Sequence, residues 1–227
     1  MKLYSKLSAL GAVVVLSTAF ASANTIAIDS HAGTGPGATV YAATTASGVV
    51  GTIGTDYNLS GVTPTWHAAL GSSSWVGISP NAGPTGTINP AKGTYTFTDD
   101  LGSGLLGYGG TIDVLADDTT SVFLNGVLLV PPAGGGDGHC ESGQPNCLTP
   151  YTVGLPGGAS FSAGDNVLTF VVLQAGTGPL HGGGTGDPSG LDYSGSITTP
   201  EPSTLLLLGT GLIGSAGALL RRMRASS

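Results

Sequence analysis

Thr94-Tyr95-Thr96-Phe97-Thr98 alternates hydroxyl and aromatic side chains, and the same two-residue period returns at Ile112 and Val114, at Val122 and Leu124, and from Val167 to Leu173. A strand sends successive side chains to opposite faces, so this period buries one face of an extended chain and cannot bury one face of a helix. No stretch of residues 24–199 repeats apolar residues at helical spacing. Extended segments recur about every ten residues with turn signals between them. Forty glycines and fourteen prolines supply those turns. The apolar recurrence argues against disorder, which needs low hydrophobicity. The expected fold is all-β, an antiparallel β-sandwich of jelly-roll-like type, in one domain and with no repeat of fixed period.

Strands are expected at residues 25–28, 39–42, 49–53, 75–78, 93–98, 112–114, 122–124, 127–130, 160–162, 166–174 and 190–198. Residues 167–173 carry apolar side chains on both faces, as a central strand does. Asp117 and Asp118 read as turn formers in a meander, and Asn125-Gly126 as a type I′ hairpin turn. The glycine-rich stretch 131–150 reads as a surface excursion. It holds Cys140 and Cys147, which on an exported chain are expected to form a local disulfide. A metal site is the weaker alternative, because only His139 stands beside them and a closed zinc site takes four ligands.

The two ends are not part of that sandwich. Residues 1–23 begin with Lys2 and Lys6, continue as an apolar run from Leu7 to Phe20 and finish with Ala21, Ser22 and Ala23. That order is a secretory signal peptide, expected as an N-terminal helix removed by signal peptidase after Ala23. Residues 200–227 carry Pro200-Glu201-Pro202, an apolar run ending at Leu220, and then Arg221, Arg222 and Arg224. The prolines keep the approach extended, a transmembrane helix over about 204–220 enters the bilayer, and the arginines hold its far end in the cytoplasm. Residues 24–199 form the exported domain between them.

That domain has twelve acidic residues and one basic residue, Lys92, a net charge of −11 at neutral pH. Such a surface repels phosphate backbones, which excludes nucleic acid as a partner. Gly102, Gly104 and Gly107 satisfy a G-x-G-x-x-G spacing, but a strand and not a helix is expected after them, so no dinucleotide site follows. Neither a G-x-S-x-G elbow nor a histidine couple at metal spacing is present, and His31, His67, His139 and His181 are scattered. No catalytic residue and no cofactor are assigned, and the chain is read as a non-enzyme. Asp113, Asp117 and Asp118 keep calcium open as a ligand, although no EF-hand spacing is present.

The order Pro-Glu-Pro, short glycine-containing apolar helix, arginine cluster over residues 200–224 resembles the PEP-CTERM sorting signal of Gram-negative bacteria. The resemblance implies handling by an exosortase, a membrane protease-transpeptidase, with Pro200, Glu201 and Pro202 as recognition residues and Arg221, Arg222 and Arg224 as the cytoplasmic anchor. It also implies a transient stay in the inner membrane, then the cell surface or an extracellular matrix rich in polysaccharide. Residues 94–126, with the Thr-Tyr-Thr-Phe strand and the Phe-Leu-Asn-Gly hairpin, and Gly164-Asp165-Asn166-Val167-Leu168-Thr169-Phe170 are similar to galactose-binding-like and carbohydrate-binding-module sandwiches. In a lectin-like module Trp66, Trp75 or Tyr108 would stack on sugar rings; as core residues, the reading preferred for both tryptophans, they would not.

Overall fold

The computed structural model describes residues 23–32, 39–45, 54–88, 90–134, 140, 143–156, 161–175 and 187–199, with 211, 214, 215 and 221 in the tail. The strands all lie in one compact unit, Thr25–Thr198, apart from the unit formed by the two chain ends. The signal segment 1–22, the strand expected at 49–53, Pro200-Glu201-Pro202, Arg222 and Arg224 lie outside the described residues. Gly211, Gly214, Ser215 and Arg221 are helical, and among the described residues no helix is long and apolar enough to cross a membrane.

Among the described residues twelve strands form two six-stranded sheets. They are β1 (Thr25–Asp29), β2 (Thr39–Thr45), β3 (Gly54–Thr55), β4 (Tyr57–Asn58), β5 (Val76–Gly77), β6 (Gly93–Gly102), β7 (Gly109–Asp117), β8 (Thr119–Leu124), β9 (Val127–Val130), β10 (Tyr151–Leu155), β11 (Asn166–Gln174) and β12 (Gly190–Thr198). Sheet I runs β10-β7-β12-β5-β4, with β1 also beside β12; sheet II runs β3-β2-β6-β11-β8-β9. Every pairing is antiparallel.

The period-two pattern explains the core between them. Tyr95 and Phe97 of β6, Leu168, Phe170 and Val172 of β11, and Val122 and Leu124 of β8 are buried from sheet II; Ile112, Val114 and Ala116 of β7 and Leu191, Tyr193 and Ile197 of β12 meet them from sheet I. Phe170 and Tyr193 stack across the sheets with centroids 4.4 Å apart. As expected, β11 is central, between β6 and β8. Asn125 (φ 51°) and Gly126 (φ 78°) both take the left-handed conformation that a type I′ turn requires, closing the β8–β9 hairpin.

Three local expectations are corrected. First, β7 and β8 are not a meander, because they belong to different sheets and Asp118 is the single residue between them. Both aspartates are buried at this crossover, not exposed in a turn. Second, no strand occupies 161–162, while β10 was not foreseen, although Tyr151, Val153 and Leu155 alternate with the exposed Thr152 and Gly154. Third, the excursion between β9 and β10 is not confined to the surface, because Cys140, Asn146 and Cys147 are buried.

Candidate functional site: a roofed acidic face and the sorting end

On β7 the side chains of Ile112, Val114 and Ala116 turn into the core, so Leu115 and Asp117 point to the opposite face of sheet I. Such a face would ordinarily meet water, yet both residues are fully buried. A roof of loops covers them. Leu59, Trp66, Trp75, Ala82, Cys140 and Cys147 gather around Leu115 as a second, smaller core. The two tryptophan rings lie 4.4 Å apart at 34°. Trp75 Nε1 donates to the His67 carbonyl at 3.0 Å, and the His67 amide donates to the Cys147 carbonyl at 2.9 Å. Gly190 of β12 lies directly beneath: a Cβ there would stand 2.9 Å from the Trp66 ring, so only glycine lets the ring settle on the strand.

Cys140 and Cys147 form the expected disulfide, with Cα atoms 5.3 Å apart. The sequence placed it but missed its surroundings. The Cys140 amide donates to Asp117 Oδ1 at 3.2 Å, and the Asn146 carbonyl accepts from the Ala116 amide at 3.1 Å. The loop therefore adds backbone partners to the rim of β7.

Two carboxylates lie under this roof. Asp192 of β12 accepts from Ser30 Oγ at 2.9 Å, from Ser73 Oγ and from the Leu70 amide at 2.9 Å, joining β12, the end of β1 and the loop before β5. Burial raises its carboxyl above the ordinary range, and those three donors and His67 oppose the rise. Asp117 is raised well above that range, first by burial and then by the charge of Asp118; the Cys140 amide and the Trp66 indole act the other way. Asp118 Oδ2 accepts from the Ala175 amide at 2.7 Å, and Ser189 Oγ donates to the Asp117 carbonyl at 3.1 Å. Two neighbouring buried carboxyls can share a proton or hold a cation.

Asp117 and the two cysteine sulfurs come within 4.8 Å of one another. The disulfide occupies both thiols, so that set cannot act as a thiolate zinc site. Asp113 does not join Asp117 and Asp118. It lies four residues back along β7, about 13 Å away at ~3.3 Å per residue, and it accepts from Thr152 Oγ at 2.6 Å.

Another buried carboxylate lies between the sheets. Asp99 of β6 is fully buried and accepts from Tyr193 Oη at 3.1 Å. Desolvation raises its pKa to about 6, opposed by the Tyr193 hydrogen bond and by His31, and aided by Asp100.

The residues proposed for sugar stacking are not on the surface. Trp66 and Trp75 are 2% and 1% exposed, as the core reading held, and Tyr108 is 9% exposed. Among the described residues Tyr57 is the exposed large aromatic. Gly102, Gly104 and Gly107 all have positive φ and lead into β7, not into a helix. His139 and His181 lie outside the described residues.

At one end of the sandwich the first and last strands meet. Thr25 of β1 is paired with Thr198 of β12, and beyond them Asn24 N–H donates to Thr199 Oγ at 3.0 Å while Thr199 N–H donates to the Asn24 carbonyl at 3.1 Å.

No curated protein matches this chain. Among solved structures, the native structure of a family 35 carbohydrate binding module from Clostridium thermocellum is similar at 14% identity and a TM-score of 0.31, over 59% of this chain and 82% of that one. A likeness that low carries no functional reading. The family model of the PEP-CTERM protein-sorting motif matches residues 198–224, from the last residue of β12 through the arginine cluster. That motif implies export, sorting at the membrane of a Gram-negative bacterium and an exosortase as partner, so an all-β domain here carries a PEP-CTERM sorting motif at its carboxyl end.

Proposed function

We propose that this chain is a non-enzymatic surface or extracellular-matrix protein, delivered by its signal peptide, held briefly in the inner membrane by its tail and processed by an exosortase. Its sandwich then associates with extracellular polysaccharide. The matched sorting motif at residues 198–224 is the observation that carries this reading. The charge supports it, since twelve acidic residues against one base in the exported domain suit neutral polymers and soluble cations better than anionic partners. The non-enzymatic part is supported by the use of the buried carboxylates: Asp192, Asp117 and Asp99 accept hydrogen bonds from the fold's own amides and hydroxyls. A lectin-like module is less favoured, because Trp66 and Trp75 are enclosed by the roof.

The test compares the intact mass and fractionation of the protein in cells with and without the sorting protease. Loss of the tail and appearance outside the inner membrane only when the protease is present are expected. An unchanged mass in both strains overturns the proposal.

A further inference from the structure

We propose that a calcium ion binds inside the sandwich where the chain crosses from sheet I to sheet II, held by the carboxylates of Asp117 and Asp118 and by the side-chain oxygen of Gln174. The inference concerns the folded domain and does not depend on how the tail is processed.

Three strands bring these groups together. β7 ends at Asp117 in sheet I, β8 begins at Thr119 in sheet II, and Asp118 makes the crossing. β11 lies beside β8 and ends at Gln174. Asp118 is fastened on both sides of that glutamine: its amide donates to the Leu173 carbonyl at 3.1 Å, and its Oδ2 accepts from the Ala175 amide at 2.7 Å. Asp117 lies within side-chain hydrogen-bond reach of Asp118. Asp117 and Gln174 are 0% exposed and Asp118 is 1% exposed.

Gln174 makes this more than a pair of acids. It keeps the inward phase of Phe170 and Val172 along β11. Its Nε2 donates to the Asp187 carbonyl at 3.1 Å, which fixes the amide, while its buried Oε1 accepts no hydrogen bond from the described residues. The residue opposite on β6 is Gly93, which has no side chain to supply one. An ionised Asp118 is itself only an acceptor. Burying an amide oxygen without a donor is costly, so a missing partner is expected at this point.

Positive charge is missing there too. Lys92, the one Lys or Arg of residues 24–199, is exposed, and the charge acting on Asp117 is that of another acid. A proton shared between the two acids balances one charge and leaves Gln174 Oε1 as it was. A divalent cation balances both and takes that oxygen as a ligand. Carboxylate and amide oxygens are hard donors, which suit calcium, magnesium or manganese better than zinc or copper. Magnesium gives up its water reluctantly, whereas calcium accepts six to eight oxygens in loose geometry, with carboxylates bidentate, and so fits an enclosed spot better.

The full chain, purified in detergent and stripped with EDTA, is titrated with calcium and, for comparison, with magnesium. Thermal unfolding reads stability, near-UV circular dichroism reads packing, and native mass counts bound ions. One calcium per chain is expected, with a melting midpoint that rises with calcium and half-saturates at roughly 0.1–1 mM, as in other extracellular modules. Magnesium at the same concentration should give a smaller rise. Gln174→Leu fills a similar space without the oxygen and should weaken calcium binding on the order of tenfold or more; Asp113→Asn should leave it unchanged. Absence of a rise in the native chain at about ten times the expected half-saturation overturns the inference, and so does a rise that survives unaltered in Gln174→Leu. An equal rise with magnesium overturns the choice of calcium. Where Gln174→Leu fails to fold, Asp118→Asn, which keeps the shape and removes one charge, is held to the same criterion. A native chain indifferent to calcium and stabilised by Asp118→Asn would show that a proton, not a cation, fills the spot.

Discussion

The core between the sheets buries phenylalanine and tyrosine side chains and the roof over sheet I buries two tryptophans, and they do so by different means. Between the sheets, Phe97, Phe170, Val114 and Tyr193 come from long strands and are buried because every second residue must point inward. Under the roof, Trp66, Trp75, Ala82 and the cystine come from loops, where no periodicity chooses a direction. They are placed by directed bonds instead: Asp192 to Ser30, Ser73 and Leu70, and Cys140 to Asp117. One region is held by shape and alternation, the other by hydrogen bonds to a few carboxylates.

The largest effect that could break this comparison is a cavity in the strand-built core. Phe170 is fully buried and stacked on Tyr193. Phe170→Ala is expected to cost about 3–5 kcal/mol, read as a lowered denaturation midpoint in urea. Trp75→Ala removes a larger ring from the roof, but loops close into a cavity more readily than paired strands, so its cost should be smaller. An equal or greater loss for Trp75→Ala would show that the roof is as rigid as the core.

The same contrast explains what could be read from residues alone. Asn166–Gln174 and Gly190–Thr198 are expected at their observed bounds, and Gly93–Gly102 over its first six residues, because their side chains obey the pleat. The hairpin at Asn125-Gly126 was expected because that dipeptide accepts positive φ at both positions. Asp117 and Asp118 misled, since adjacent acids ordinarily mark a turn and nothing local says that the chain changes sheets there. Asp192, which accepts bonds from three parts of the chain, had no signal: its partners lie 122, 119 and 162 residues away. Asp99 offered a faint one, because it keeps the inward phase of Tyr95 and Phe97.

Asp99 gives the next effect in size, and it concerns polarity inside the strand-built core. Its carboxyl, raised by desolvation from the ordinary 3.8 to about 6, prefers to be protonated in the folded state. The stability this contributes is fully present below pH 3.8 and is lost as pH rises through about 6. The full difference corresponds to about 3 kcal/mol. Asp99→Asn keeps an acceptor for Tyr193 Oη and cannot ionise. The variant should therefore gain on the native protein between pH 4 and pH 7, measured by urea unfolding at each pH. A constant difference over that range would mean that Asp99 is solvated, and that the core is less dry than its apolar neighbours imply.

The smallest effect sharpens the comparison from the roof side. The Cys140–Cys147 disulfide spans a sequence separation of seven, so a chain-entropy estimate gives about 2 kcal/mol for replacing both cysteines with serine. Where the loss falls matters more than its size. The loop brings in the Cys147 carbonyl that holds the His67 amide and the Asn146 carbonyl that holds the Ala116 amide. Loosening the loop should speed hydrogen exchange at His67 and Ala116 and at the Leu59 amide, which bonds to Trp75. The amides of Phe170 and Val172 are held by β6 and β8 and make no bond to the roof. Their exchange should remain at the level of global unfolding. If they accelerate together with His67, roof and core open as one unit, and the directed bonds to Asp192 and Asp117 couple the two regions instead of fastening one onto the other.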